Sequence, residues 1–364
     1  MGTMSMAMAR GGNSMVTVDA EELRTFIRHV LLAIGMRPAA AELTADAMLW
    51  ADLRAIEPHG VAKLPILVER IEAGVTAADA EPTVVSETAT TALIDAGTVW
   101  GQVAATWAME LAVEKARVHQ LGAVVVRNSS SLGALGYYPL VAVRAGQIGL
   151  AITNSMPLLA PWGGTTKLLG NQAYAIGCPA GRYPPLLLDI SNSATSYGNI
   201  KMALERGEQL GPGLAFDAEG RPTTDPAAAL EGLLAPAGGH KGFGLALMWE
   251  VLTGVLAGMA YVPNVGALED LARPQETSHF LLALDPAAYL PLEQFTARID
   301  SLIEQIGSVP PAPGVERPYA PGEQGFMRSA ARAGEGIPLS ARRRSELATL
   351  GRRIGVSPPF LTND

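Results

Sequence analysis

Only one cysteine, Cys178, occurs in 364 residues. A lone thiol excludes an internal disulfide framework and a cysteine-built metal cluster, and it fits a reducing cytoplasm. No metal site is expected. Positive charge is scarce too. Lys+Arg number 27 against 35 Asp+Glu, for a net charge of −8. The basic runs are confined to Arg342–Arg344 and Arg352–Arg353. Nucleic acid is therefore not an expected partner. Nor is a membrane. The longest apolar run, Gly242–Tyr261, is interrupted by Glu250 and by glycines, and reads as a core helix. Met1–Met15 lacks the apolar stretch of a secretory signal and reads as a disordered tail. Two nucleotide signatures are missing as well. No G-x-G-x-x-G joins a strand to a helix, because Gly242-Phe243-Gly244 has no third glycine. No phosphate loop of the triphosphatase kind occurs. Any nucleotide must be held by another architecture.

What is present is apolar: 48% hydrophobic residues against 17% charged. That is enough for two or more domains. Asp19, with Glu22 three residues on, forms a capping box for a helix through Ile34. Helical spacing continues over Ala39–Arg54 and Val61–Ala73, with Ile56–Gly60 as a break. Strands are expected at Ala92–Ala96, Ala123–Arg127, Ile148–Thr153, Leu186–Ile190 and His279–Leu284, with a helix over Gln102–Leu121. Leu292–Ile306 and Ser340–Ile354 read as helices around a proline-rich Ser308–Pro321. The implied class is α/β or α+β. Residues 16–90 and 295–364 would make a mainly helical domain, and residues 91–294 a mixed-sheet domain.

The stretch Pro236–Tyr261 carries the first chemistry. Gly238, Gly239, His240, Lys241 and Gly242 open a long apolar helix that should be buried on most sides. Glycines let a ligand approach the backbone, and the first helical amides favour an anion. Lys241 adds a full charge. A Gly-rich loop that merely enters a core helix is the plain alternative.

Three stretches in order resemble the malate/L-lactate dehydrogenase family that does without the Rossmann fold. That family includes ureidoglycolate, sulfolactate and 3-dehydro-gulonate dehydrogenases and Δ1-piperideine-2-carboxylate reductases. The stretches are Ala51–Val75, Ala123–Tyr138, and a set from Asn154-Ser155-Met156-Pro157 through Gly170-Asn171, Asp189–Ser193 and Gly238–Leu245. The resemblance implies a non-Rossmann NAD(P)-binding mixed-sheet domain, a homodimer, and NAD(P)H in a cleft, with NAD or NADP undecided. By it, Ser155, Asp189, Ile190, Ser191 and Lys241 match cofactor contacts, and Thr277, Ser278 and His279 a later one. His59 matches the histidine of the family's Ser-His-Gly motif, where it would act on a substrate oxygen as donor or acid. Its charge change is expected near neutrality. Lys63, one turn on, would clamp a substrate carboxylate.

This sequence departs from the family pattern at three polar positions. Pro58 stands where the motif has serine. Ser131 stands in the segment that usually supplies a proton-donating histidine. Met156 follows Ser155 where an acidic residue is common. The reading is a cytoplasmic NAD(P)H-dependent oxidoreductase acting at C2 of a small 2-oxo or 2-hydroxy acid, with His59 and Ser131 as its catalytic groups. Pro58, Lys63 and Met156 would contact the substrate. A reductase of cyclic imino acids is the near alternative, since an iminium ion needs no strong acid. A cofactor-binding protein without turnover is the alternative of another class. Arg182 and His279 are candidates to meet a 2′-phosphate.

Overall fold

The computed structural model describes residues 15–361. The tail expected over 1–15 lies outside them except for Met15, which opens a strand. The elements in order are β1 Met15–Val18, α1 Ala20–Ala33, α2 Pro38–Leu53, α3 Leu64–Glu72, β2 Thr83–Glu87, β3 Thr91–Asp95, α4 Gly101–His119 and β4 Leu121–Ser129. Then come α5 Pro139–Arg144, β5 Ile148–Thr153, β6 Tyr174–Cys178, β7 Leu186–Ile190, α6 Tyr197–Arg206, β8 Ala215–Phe216, β9 Pro222–Thr223 and α7 Pro226–Glu231. The chain continues with β10 Leu233–Leu234, α8 His240–Glu250, β11 Thr277–Leu284, α9 Leu292–Ser308, α10 Glu323–Glu335, β12 Ile337–Ser340 and α11 Ala341–Ile354.

The main sheet has the order β2-β3-β4-β11-β5-β6-β7, and only the β3–β4 pair is parallel. This order fixes where the chemistry can gather. β4, β5 and β7 run the same way, and β11 runs against them. The residues just after β4 and β5, the end of β7 and the start of β11 therefore share one edge of the sheet. Ser131, Ser155, Asp189–Ser191 and Thr277 all fall on that edge.

One face of the sheet is covered by α4, which is rich in alanine. Ala104, Ala105, Ala108, Ala112 and Ala116 pack under Ile94, Val124, Val126 and Leu281. Small side chains let the helix sit close. A Cβ on Gly122 would stand 2.0 Å from the Ala112 carbonyl oxygen, so only glycine fits there. A second core joins α1, α2, α3 and α11 through Phe26, Ile27, Leu31, Met48, Leu64 and Leu347. Asp19 caps α1, accepting from the amides of Glu21 and Glu22 at 2.9 and 3.0 Å. A third, smaller core, with Leu158, Leu159, Ile200 and Leu234, lies beneath α6, α7 and the small sheet β10-β8-β9.

The helix at 240–250 departs from expectation. Gly242, Ala246 and Glu250 are buried, four residues apart on one face. Leu247, Met248, Val251, Val255 and Leu256 lie 41–56% exposed. Only one stripe packs inward, so the all-round apolar pattern does not mean all-round burial within the chain. The helix goes on through a π turn at Val251–Val255.

Candidate active site

The His59 turn is built by its neighbours. α2 ends at Leu53, and Ala55 takes φ 62°, turning the chain back. Two 3-10 turns, Glu57–His59 and Val61–Lys63, then lead into α3. Asp52 closes this loop by accepting from the Val61 amide at 2.7 Å. Its carboxylate lies so near Gly60 that a Cβ there would meet Asp52 Oδ1 at 2.0 Å. Burial pushes the Asp52 carboxyl up to about 7. His59 Nδ1 is buried and has no hydrogen-bond partner among the described residues. Burial, and then the Lys63 charge, push His59 down to about 4. Its imidazole is therefore neutral at neutral pH, not half-protonated as its ordinary value implies.

His59 opens onto a cleft of about 630 Å³ along the shared sheet edge. Ser131, Ser155, Asp189, Ile190, Ser191 and Thr277 line it with Pro58. The Ser131 amide donates to Gln275 Oε1 at 3.0 Å. Ser155 Oγ donates to Asn171 Oδ1 at 2.9 Å, and its amide donates to Gln172 Oε1 at 2.9 Å. Gln172 in turn donates to Glu250 of α8, whose other oxygen accepts from Val262 N at 3.1 Å. Asp189 Oδ2 accepts from the Gly136 amide at 2.8 Å. Burial raises Asp189 to about 6, against the pull of that amide and of Arg54. Thr277 Oγ1 is buried without a partner among the described residues.

Other expected residues stand apart. Lys63 lines a neighbouring cavity of about 400 Å³, which meets the cleft at Glu57, Pro58, Met202 and Arg206. It ends the 3-10 turn at Val61–Lys63, and its charge is still felt at His59. Its ammonium is pushed down by burial, with Glu269 acting the other way. Met156 packs against the small core with Leu158 and Leu159 instead of facing the cleft. His279 is fully buried in β11. Its Nδ1 pairs with Thr153 Oγ1 and its Nε2 with Ser129 Oγ, both at 2.8 Å. Burial drives it down to about 3, so a neutral ring locks three strands together and is no partner for a phosphate. Ser278 is buried beside it. Arg182 is held by Asp300 and Glu304 of α9 and is not free for a 2′-phosphate either. Lys241 is exposed at the start of α8, beyond the cleft lining. Its loop still reaches the cleft: Ala237 N donates to Asn192 O at 2.8 Å, next to Ser191.

Sequence reasoning missed Asp52 and Arg54. Asp52 is the acid that interrupts the apolar run Ala47–Leu53, and that was its signal. Arg54 follows it in the cleft wall.

The cleft suits a group bearing both hydroxyls and phosphates. A carboxylate at a strand end can accept from ribose hydroxyls, and unpartnered donors stand ready in the wall. A family model described as malate/L-lactate dehydrogenase matches residues 18–348. The chain belongs to that family. It is an NAD(P)-dependent oxidoreductase of the malate and sulfolactate dehydrogenase kind. The L-sulfolactate dehydrogenase of Methanothermobacter thermautotrophicus is 35% identical over 93% of this chain and 98% of its own length. The solved sulfolactate dehydrogenase of Methanocaldococcus jannaschii superposes with a TM-score of 0.89, at 31% identity, over 95% of this chain and 99% of that one. The Δ1-piperideine-2-carboxylate reductase of Pseudomonas syringae pvar. tomato gives 0.83 at 27% identity, over 92% and 99%. The non-Rossmann mixed α/β fold expected from the sequence is thus the fold of these relatives.

Proposed function

We propose that this cleft carries hydride transfer at C2 of a small 2-oxo or 2-hydroxy acid. Bound nicotinamide would supply or accept the hydride. Asp189, with Ile190 and Ser191, would hold a ribose, and Ser155 and Thr277 the nicotinamide end. Lys241 would take a phosphate oxygen from the loop above Ser191. The observation that carries the reading is His59, which lines the cleft together with Ser131 and whose buried Nδ1 has no partner among the described residues. A neutral imidazole can accept the hydroxyl proton when a hydroxy acid is oxidised. In the reverse direction it can hold a carbonyl oxygen by hydrogen bonding. Ser131 would hydrogen-bond the same oxygen. Lys63, across Pro58 in the adjoining cavity, would attract the substrate carboxylate.

Ser131 favours a second reading, a reductase of cyclic imino acids. An iminium carbon is already activated, so neither a histidine at 131 nor a charged His59 is needed. Oxidation of NADH and of NADPH, followed with pyruvate, 2-oxoglutarate, Δ1-pyrroline-2-carboxylate and Δ1-piperideine-2-carboxylate, tests both. Turnover of keto acids alone supports the first reading, and of the cyclic imines alone the second. No turnover of any, with cofactor bound, leaves the binding protein that has lost catalysis. The exposed apolar stripe of α8 supports a homodimer in which a second copy covers it. The single thiol supports a cytoplasmic setting.

A further inference from the structure

Arg54 is 5% exposed, in the cleft wall. Its guanidinium lies between two rings, 4.4 Å from the centroid of Trp50 and 3.9 Å from that of Phe326. Stacking uses the two faces and leaves the in-plane N–H groups unspent. No described residue takes them. Among the described residues Arg54 forms no salt bridge, and its buried Nε has no hydrogen-bond partner. Asp189 attracts it but forms no ion pair with it, and Asp189 Oδ2 accepts from the Gly136 amide. α10 closes over the same group: a Cβ on Gly325 would stand 2.8 Å from Arg54 Nη1. A buried guanidinium nitrogen such as Nε with no acceptor is unfavourable. A fixed, stacked guanidinium whose edge borders a cleft is also the arrangement best suited to an oxyanion, because little side-chain freedom remains to be lost on binding.

We propose that Arg54 is a ligand-binding residue of the cleft, and that its guanidinium edge receives phosphate oxygens of the bound dinucleotide. The inference rests on the cleft being the dinucleotide site. It adds a cation beside Asp189, so that carboxylate and guanidinium together meet a ribose and a phosphate. Two phosphates could fill the role, the pyrophosphate of either cofactor or the 2′-phosphate of NADPH.

The test is the dissociation constant of NADH and of NADPH, by quenching of protein fluorescence at pH 6 and pH 8. Wild type is compared with Arg54→Met, which keeps an apolar stem between Trp50 and Phe326, and with Arg54→Lys, which keeps the charge without the planar edge. A contact to the pyrophosphate weakens both cofactors about tenfold or more in Arg54→Met at both pH values, and a contact to the 2′-phosphate weakens NADPH alone. Arg54→Lys should recover only part of the loss, and it carries the test if Arg54→Met does not fold. Unchanged constants for both cofactors overturn the proposal. So does a loss confined to pH 6, which would mean that Arg54 acts by keeping Asp189 ionised. If wild type binds neither cofactor, it is the function of the cleft that fails, and not the placing of Arg54 within it.

Discussion

Replacing Asp52 by asparagine should stabilise the protein at alkaline pH. Asp52 is buried where its carboxyl titrates at about 7, against an ordinary value of 3.8. Below pH 4 the folded and unfolded chains both hold the proton, and nothing is lost. Between pH 4 and 7 the folded chain holds a proton that the unfolded chain has released, so stability falls as pH rises. Above 7 the penalty is complete. A shift of about three units corresponds to about 4 kcal/mol, of which about 3 kcal/mol falls between pH 5 and pH 8. Asparagine cannot ionise, and its carbonyl oxygen can still accept from Val61 N, so the His59 turn should keep its shape. Urea denaturation of both proteins at pH 5 and pH 8 reads the difference. Asp52→Asn should gain on wild type by about 3 kcal/mol more at pH 8 than at pH 5. Equal differences at the two pH values would refute the argument. A variant less stable than wild type at pH 8 would mean that Arg332 and Arg343 make the ionised carboxylate favourable overall.

His59→Ala should lower turnover roughly a hundredfold while cofactor binding survives. Because His59 titrates at about 4 and is neutral above it, kcat/KM of wild type should show no histidine ionisation between pH 5 and 8; a clear inflection near 6.5 that vanishes in His59→Ala would contradict the buried, uncharged imidazole. Lys241→Ala should raise the dissociation constant of the cofactor at least about fivefold, as loss of about 1–3 kcal/mol from a charged contact requires, and an unchanged constant would remove Lys241 from the site. Sedimentation at micromolar concentration should give twice the chain mass of 38.0 kDa, and Met248→Glu on the exposed face of α8 should halve it; a fully active wild-type monomer would sink the covered-face reading.

Much of the fold is legible in local pattern. Leu186–Ile190 and Ile148–Thr153 are β-branched or leucine runs between turn residues, and their bounds agree with the structure. β2 and β6 are not legible in this way. β2 is an exposed edge strand with no buried face to impose alternation, and β6, Tyr-Ala-Ile-Gly-Cys, hides its pattern behind small residues. α10 buries no residue and is mostly polar, with Phe326 and Met327 its only large apolar side chains, yet it supplies Phe326 over Arg54 and Arg332 to the Asp52 carbonyl at 2.5 Å. The site divides in the same way. Ser131, Ser155, Asp189 and Thr277 converge because strand order brings one sheet edge together. His279 could not be excluded from one dimension, because only pairing of β11 with both β4 and β5 shows its ring to be enclosed.

The run from Ser155 through Gln172 to Glu250 bears on how this sequence can change over time. Gln172 alone replaced by an apolar residue would leave Glu250 without its partner in the interior, and Glu250 alone replaced would strand the Gln172 amide. Replacing both with apolar side chains of matching shape removes that pair together, but it leaves the Ser155 and Val262 amides without their acceptors. Either single replacement therefore leaves a buried polar group unpaired, and the double replacement does so as well. A lineage that drifts here weakens the cleft at the step that removes Gln172, because the Ser155 amide, part of the cleft wall, then loses its acceptor whether or not Glu250 has changed.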